Sequence, residues 1–161
     1  MQIEIVAIYL SPGHDFKGHH GKPPGDHGTQ MPESVECVAG SGLVGDRYFD
    51  FKDDYKGQVT FFDEAVFLEA QDALQCHDRP PEVLRRNILT RGIDLNSLIG
   101  KTFRIGDTTF SGSQECAPCY WMNQSFAPGM EEFLKGRGGL RARILSNGTL
   151  HAGPAELSID D

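Results

Sequence analysis

The sequence predicts a mainly β fold, a closed or nearly closed β-barrel carrying a few short helices. Three observations carry this expectation. The 161 residues include 19 glycines and 9 prolines, so turns are frequent and the segments between them short. Roughly eight to ten short apolar or alternating segments lie between those turns, against two or three helical ones. No strand–helix–strand rhythm recurs, which disfavours a parallel doubly wound sheet and favours a barrel with helices packed at its ends. One domain over residues 1–161 is expected, because a chain of this length buries a core without covalent staples.

Residues 2–10 (QIEIVAIYL) are apolar at both alternating sets of positions, as in a strand covered on two faces. Residues 11–34 form a His/Gly/Pro-rich loop without periodicity, and an insert of that length in a compact domain is either mobile or functional. Val35–Ala39 and Leu43–Phe49 read as short strands, as does Gln58–Phe62. Asp63 is a helix N-cap, and Val66, Phe67, Ala70, Ala73 and Leu74 make one apolar face of a helix reaching about Gln75. Pro80 and Pro81 end that segment. Leu84–Thr90 is expected to be extended and Asp94–Ile99 to make one helical turn. Thr102–Ile105 and Thr108–Ser111 flank Gly106-Asp107, a hairpin signal. Pro128-Gly129 opens a short helix over Met130–Lys135. Leu140–Leu145 and Thr149–Leu150 flank Asn147-Gly148, which predicts a second hairpin.

Charge narrows the function. The formal net charge is −8, which argues against non-specific nucleic-acid binding, since that rests on Lys and Arg neutralising phosphates. A local basic pocket for a small anion remains compatible with it. No apolar run approaches the roughly 20 residues that span a bilayer. The N-terminal segment lacks the basic region of a signal peptide, so a cytoplasmic protein with reduced thiols and no membrane partner is expected.

Two cysteines, Cys116 and Cys119, stand in the segment Ser113-Gln114-Glu115-Cys116-Ala117-Pro118-Cys119-Tyr120-Trp121. This spacing suits a soft metal, a redox disulfide or a thiolate that carries sulfur, and the residues alone leave the three open. A structural zinc site needs two further ligands at finger-like spacing, which Cys37 and Cys76 do not supply. An iron–sulfur cluster needs three cysteines close together, and a thioredoxin-like motif needs a helix-opening position in a βαβ unit. His14, His19, His20 and His27, with Asp15 and Asp26, form a second cluster. Imidazole and carboxylate together suit zinc or a similar divalent ion, so a metal-binding module is the alternative reading; solvated histidines in a polar loop are the simpler one. Third, arginines recur beside glycines and polar residues at Gly45-Asp46-Arg47, Arg85-Arg86-Asn87 and Gly138-Gly139-Leu140-Arg141-Ala142-Arg143. If these converge, they make a pocket for a phosphorylated small molecule.

Taken in order, Gly42-Leu43-Val44-Gly45-Asp46-Arg47, Gln58-Val59-Thr60, Leu84-Arg85-Arg86-Asn87, Gly100-Lys101-Thr102-Phe103, Cys116-Ala117-Pro118-Cys119 and Arg137-Gly138-Gly139-Leu140-Arg141-Ala142-Arg143 resemble the MOSC domain, named for the C-terminal region of eukaryotic molybdenum-cofactor sulfurase. The small stand-alone bacterial members are the most similar. The resemblance runs from about Val35 to Gly153. It implies a β-barrel of the pyruvate-kinase-barrel-like kind and a bound molybdenum cofactor (molybdopterin). It also implies a pocket cysteine, falling on Cys119, that ligates molybdenum or carries sulfur. Cys116 is shared with some members only. Cofactor-binding positions fall on Asp46, Arg47, Arg85, Asn87, Gly139 and Arg143, and neighbouring arginines would favour the thiolate. Tyr48 stands where a histidine is common, which removes an acid–base group there. Some relatives reduce N-hydroxylated compounds with electrons from a partner protein, which implies an external electron donor here or, for a sulfur carrier, a cysteine desulfurase. Pyridoxal phosphate belongs to a separate domain of the eukaryotic sulfurase and is not expected on this chain.

Overall fold

The structure is a computed structural model that describes residues 1–14 and 28–160. Among the described residues there are ten strands, β1 (Gln2–Ile8), β2 (Ser34–Val38), β3 (Gly42–Leu43), β4 (Val59–Asp63), β5 (Ile88–Arg91), β6 (Thr102–Ile105), β7 (Thr108–Glu115), β8 (Leu140–Ile144), β9 (Gly148–His151) and β10 (Gly153–Ile159). Three short helices accompany them: α1 (Glu64–Ala73), α2 (Trp121–Ser125) and α3 (Met130–Phe133). Seven strands close into a barrel in the order β1-β10-β6-β7-β8-β4-β5, and a separate sheet has the order β3-β2-β9. The mainly β barrel expected from the sequence is therefore the observed fold. Among the described residues one pairing is parallel, β4 with β5, and it is joined through α1, so a single crossover unit occurs within an otherwise antiparallel barrel.

β1 shows how alternation and register position the core. Ile3 and Ile5 face the barrel interior, and strict alternation would send Ala7 there too. The pairing with β5 shifts between Ile5 and Ala7. After that bulge Ile8 and Leu10 face the barrel core, while Ala7 and Tyr9 turn outward to a second apolar cluster. The barrel core is built on Phe61, Phe103 and Phe110, with Phe61 edge-on to both partners at 5.9 and 5.5 Å. The second cluster packs α1, α2 and α3 against the outside through Phe67, Ala70, Met122, Phe126 and Met130.

Local signals place most elements. Asp63 caps α1 by accepting from the Ala65 N–H, and Asp94 caps a 3-10 turn at Leu95–Leu98 by accepting from Asn96. Gly106-Asp107 closes the β6–β7 hairpin. Four expectations need correction. The strand expected over Leu43–Phe49 is only Gly42–Leu43, because the chain then folds into turns in which Asp46 N–H donates to Leu43 O and Phe49 N–H to Asp46 O. Leu84 belongs to a 3-10 turn (Pro81–Leu84), and the extended chain starts only at Ile88. Asn147-Gly148 does separate β8 from β9, but the two do not pair: β8 lies between β7 and β4, and β9 joins β2. Asn147 instead accepts from the Ala39 N–H through its side chain. Finally, the sequence pattern marks neither β10 nor α2. β10 buries only Leu157 and is held through backbone pairing with β1 and β6, so its sequence carries little apolar pattern. In the 11–34 loop, Gln30 forms a bridge with Leu10, and residues 15–27 lie outside the described residues.

Candidate functional site

β1 and β7 run out at one rim of the barrel, where β5 and β8 begin. There a cleft of about 430 Å³ opens. Four arginines reach its wall from different elements: Arg47 from the turns after β3, Arg85 and Arg86 from the end of the 3-10 turn, and Arg141 from β8. Two thiols, Cys116 and Cys119, enter from the loop between β7 and α2. Aromatic rings complete it. Tyr48 and Tyr55 stack at 5.4 Å on one side, and Tyr120 and Trp121 stack at 4.8 Å beside the thiol loop. His14 meets Tyr48 edge-on at 5.2 Å.

The two cysteines differ in setting. Cys119 is exposed, whereas Cys116 is only 4% exposed. The backbone of Cys116 is held on both sides: its N–H donates to Gly139 O (2.8 Å), and its carbonyl accepts from Arg86 Nη2 (3.0 Å). Arg86 Nε also donates to Gly138 O (2.9 Å), so one guanidinium clamps the thiol loop to the glycine pair. A Cβ at Gly138 would lie 2.2 Å from Cys116 O, and one at Gly139 would lie 2.3 Å from Phe61 O, with Gly139 at φ +109°. Only glycine permits this approach. The pair therefore brings the thiol loop and β8 together.

Arg141 is tied electrostatically to Cys116. Burial pulls its guanidinium down, but the neighbouring Cys116 thiol and the Tyr55 and Tyr48 hydroxyls outweigh that, so its pKa lies above the usual arginine value. Burial pushes the Tyr55 hydroxyl up, with Tyr48 adding to the effect. Arg85 sits at φ 60°, a left-handed conformation uncommon outside glycine, and donates to Gly13 O at 2.6 Å. Arg47 lies over the Tyr48 ring at 4.7 Å and contacts Asp46 Oδ1 at 3.4 Å.

Of the residues expected from the sequence, Arg47, Arg85, Cys116 and Cys119 converge on this wall. The other four stand behind it or away from it. Asp46 is buried and accepts from the Ser11 and Tyr48 N–H groups, shaping the turn that presents Arg47. Asn87, 3% exposed, accepts from Thr60 N and Oγ1 and donates to Tyr9 O, tying β4 to the chain just past β1 and just before β5. Gly139 acts through the close approach just described. Arg143 faces outward beside β7, with its guanidinium on Asp54 and on Ser113 Oγ. Arg86 and Arg141 belong to the arginine motifs of the sequence, but nothing in the motifs distinguishes them as cleft residues. Alternation places Arg141 and Arg143 on one face of β8, and only the position of the rim selects Arg141. Of the histidine cluster, His14 lines the cleft; His19, His20 and His27 lie outside the described residues, as do Asp15 and Asp26. Among the described residues no group of three or more His, Cys, Asp or Glu side chains is arranged to hold a metal ion, and no helix is long and apolar enough to cross a membrane.

Comparison with known proteins accords with this architecture. The structure is similar to the YuaD protein from Bacillus subtilis, with a TM-score of 0.73 at 18% identity, covering 99% of this chain and 96% of that one. It is also similar to YiiM from Geobacillus stearothermophilus (TM-score 0.70, 16% identity, 99% and 75% covered) and to YiiM from Escherichia coli (TM-score 0.62, 20% identity, 98% and 70% covered). No curated protein sequence matches the chain. The profile of the MOSC domain matches residues 19–155, which takes in the chain from β2 into β10 and every arginine and cysteine of the cleft. With the ordered motifs, the barrel and this match in agreement, the chain belongs to the MOSC domain family.

Proposed function

We propose that the protein binds the molybdenum cofactor in this cleft, with Cys119 as the sulfur that ligates molybdenum or carries sulfur to it. One observation carries the reading: two thiols and four arginines share one cleft in a net-acidic protein. The donor set fits the group. A thiolate is a favourable ligand for a thiophilic metal, guanidinium forks match the oxygens of a phosphate, and aromatic faces suit a planar pterin. When bound, the cofactor supplies a redox-active metal with an open coordination position.

The chain's own residues then divide the work. Arg47, Arg85 and Arg141 provide the positive field for an anionic group. Arg86 adds charge, but its Nε, Nη1 and Nη2 donate to carbonyls of Gly138, Leu84 and Cys116, so it orients the thiol loop. Exposure of Cys119 leaves its sulfur accessible from the cleft. A reductase working on N-hydroxylated compounds would draw electrons from a partner protein, and a sulfur carrier would be loaded by a cysteine desulfurase. Elemental analysis and pterin fluorescence test the reading on protein from a molybdopterin-competent host. Wild type is expected to carry both molybdenum and pterin, with molybdenum lost in Cys119→Ala. Equal molybdenum in both proteins sinks the ligand assignment, and wild type without metal or pterin sinks the cofactor reading. A persulfide mass shift on Cys119 after treatment with a desulfurase selects sulfur carriage.

A further inference from the structure

We infer that Cys116 is a resolving thiol for Cys119: it displaces a sulfur adduct from Cys119 and closes a Cys116–Cys119 disulfide inside the cleft. The role deepens the sulfur-carrying arm of the proposed function and rests on Cys119 as the adduct-bearing residue.

The placement of the two sulfurs supports this division. Cys119 is exposed and meets a soluble sulfur donor first, whereas Cys116, 4% exposed, is closed to direct attack from solvent yet still lines the same cleft. Only two residues separate them. Both backbone groups of Cys116 are engaged, by Gly139 O and by the Arg86 guanidinium, and Gly138 packs against the same loop. The Cys116 sulfur is therefore presented from a fixed base, in the cleft that Arg141 also lines. The other two cysteines cannot substitute. Cys37 is fully buried in the barrel core, and Cys76 sits in the helical cluster with its thiol directed at Phe126 O and Asp78.

In the step itself the Cys116 sulfur attacks the Cys119 sulfur and a Cys116–Cys119 bond forms. The bond from Cys119 to its adduct breaks, and its electron pair leaves on the adduct sulfur, as hydrosulfide from a persulfide or as a thiolate from a mixed disulfide. The Cys116 thiol proton passes to solvent. The two cysteines together are oxidised by two electrons and the adduct sulfur is reduced by two. Two equivalents of a low-molecular-weight thiol then restore the dithiol and leave as one disulfide.

Oxidised glutathione is the probe, applied to the full chain without cofactor and followed by intact mass and peptide mapping. Wild type is expected to lose two hydrogens, to retain no glutathione and to show a Cys116–Cys119 cross-link. Cys116→Ser is expected to hold one glutathione on Cys119, and Cys119→Ser to take up none. A lasting glutathione adduct on Cys119 of wild type overturns the proposal, as does a cross-link between other cysteines or the absence of reaction. The wild-type map decides this even if Cys116→Ser folds poorly. Because no molybdenum enters the experiment, its outcome is separate from that of the cofactor reading.

Discussion

Replacing Asn87 with alanine should destabilise the protein without any cofactor present, because Asn87 is a strut of the barrel rim. Its Oδ1 accepts from Thr60 N (3.0 Å) and Thr60 Oγ1 (3.1 Å), and its Nδ2 donates to Tyr9 O (3.2 Å). Two backbone contacts would survive the change, Asn87 N–H to Thr60 Oγ1 and Tyr9 N–H to Asn87 O. The Thr60 hydroxyl can rotate to a new partner. The Thr60 N–H and the Tyr9 carbonyl cannot, and both are stranded in the interior. A buried polar group left without its partner costs about 1–3 kcal/mol, so two give about 2–6 kcal/mol. A water entering the vacated space would bring the loss toward the lower end. For a chain of this size, about 2–4 °C of melting temperature is lost per kcal/mol, so a mid-range loss of about 4 kcal/mol lowers Tm by about 8–16 °C. Urea unfolding of the apo protein measures the difference. Asn87→Asp sharpens the test. It keeps the acceptors for Thr60 but sets a carboxylate against the Tyr9 carbonyl, so it should be less stable at pH 7 than at pH 4, where a protonated carboxyl can donate. If Asn87→Ala unfolds within about 0.5 kcal/mol of wild type, the range of an ordinary surface change, the reasoning fails.

Two further outcomes follow from the same geometry. Gly139→Ala forces a Cβ to 2.3 Å from Phe61 O at φ +109°, so β8 must move away from β4; a loss of about 3 kcal/mol or more is expected, read as reduced soluble yield and a lower Tm. Burial pushes the Cys37 thiol up from its ordinary value of 9.0 to about 12. Between those values the unfolded chain has released this proton and the folded chain has not. The stability Cys37 contributes is therefore complete below pH 9 and is lost as pH rises towards 12. Its share of the slope is about 1.4 kcal/mol per pH unit. Cys37→Ala should flatten the fall in unfolding free energy by that amount, and an unchanged slope contradicts the assignment.

Short-range chemistry made much of this protein readable from its sequence. The Asp63 cap, the helical turn at Asp94–Ile99, the Gly106-Asp107 hairpin and the two-faced apolar strand at the N-terminus are local patterns, and each was found where residue type and spacing put it. The ordered motifs likewise led to the family, because they are matters of chain order. The tertiary structure decided the rest, for reasons that lie between distant segments. Alternation makes Arg141 and Arg143 equivalent on β8, and only the closing of the barrel puts one in the cleft and the other on Asp54. That the Asn87 side chain bonds Thr60 and Tyr9 is visible only once their distant segments are brought together. The hairpin expected at Asn147-Gly148 yields to pairing with β2, since strand partners are chosen by the whole sheet and not by the turn alone. The two cysteines look alike three positions apart. Their inequality, one exposed and one held beside Arg141, exists only because the barrel rim, the Gly138-Gly139 pair and the Arg86 clamp meet around the same loop.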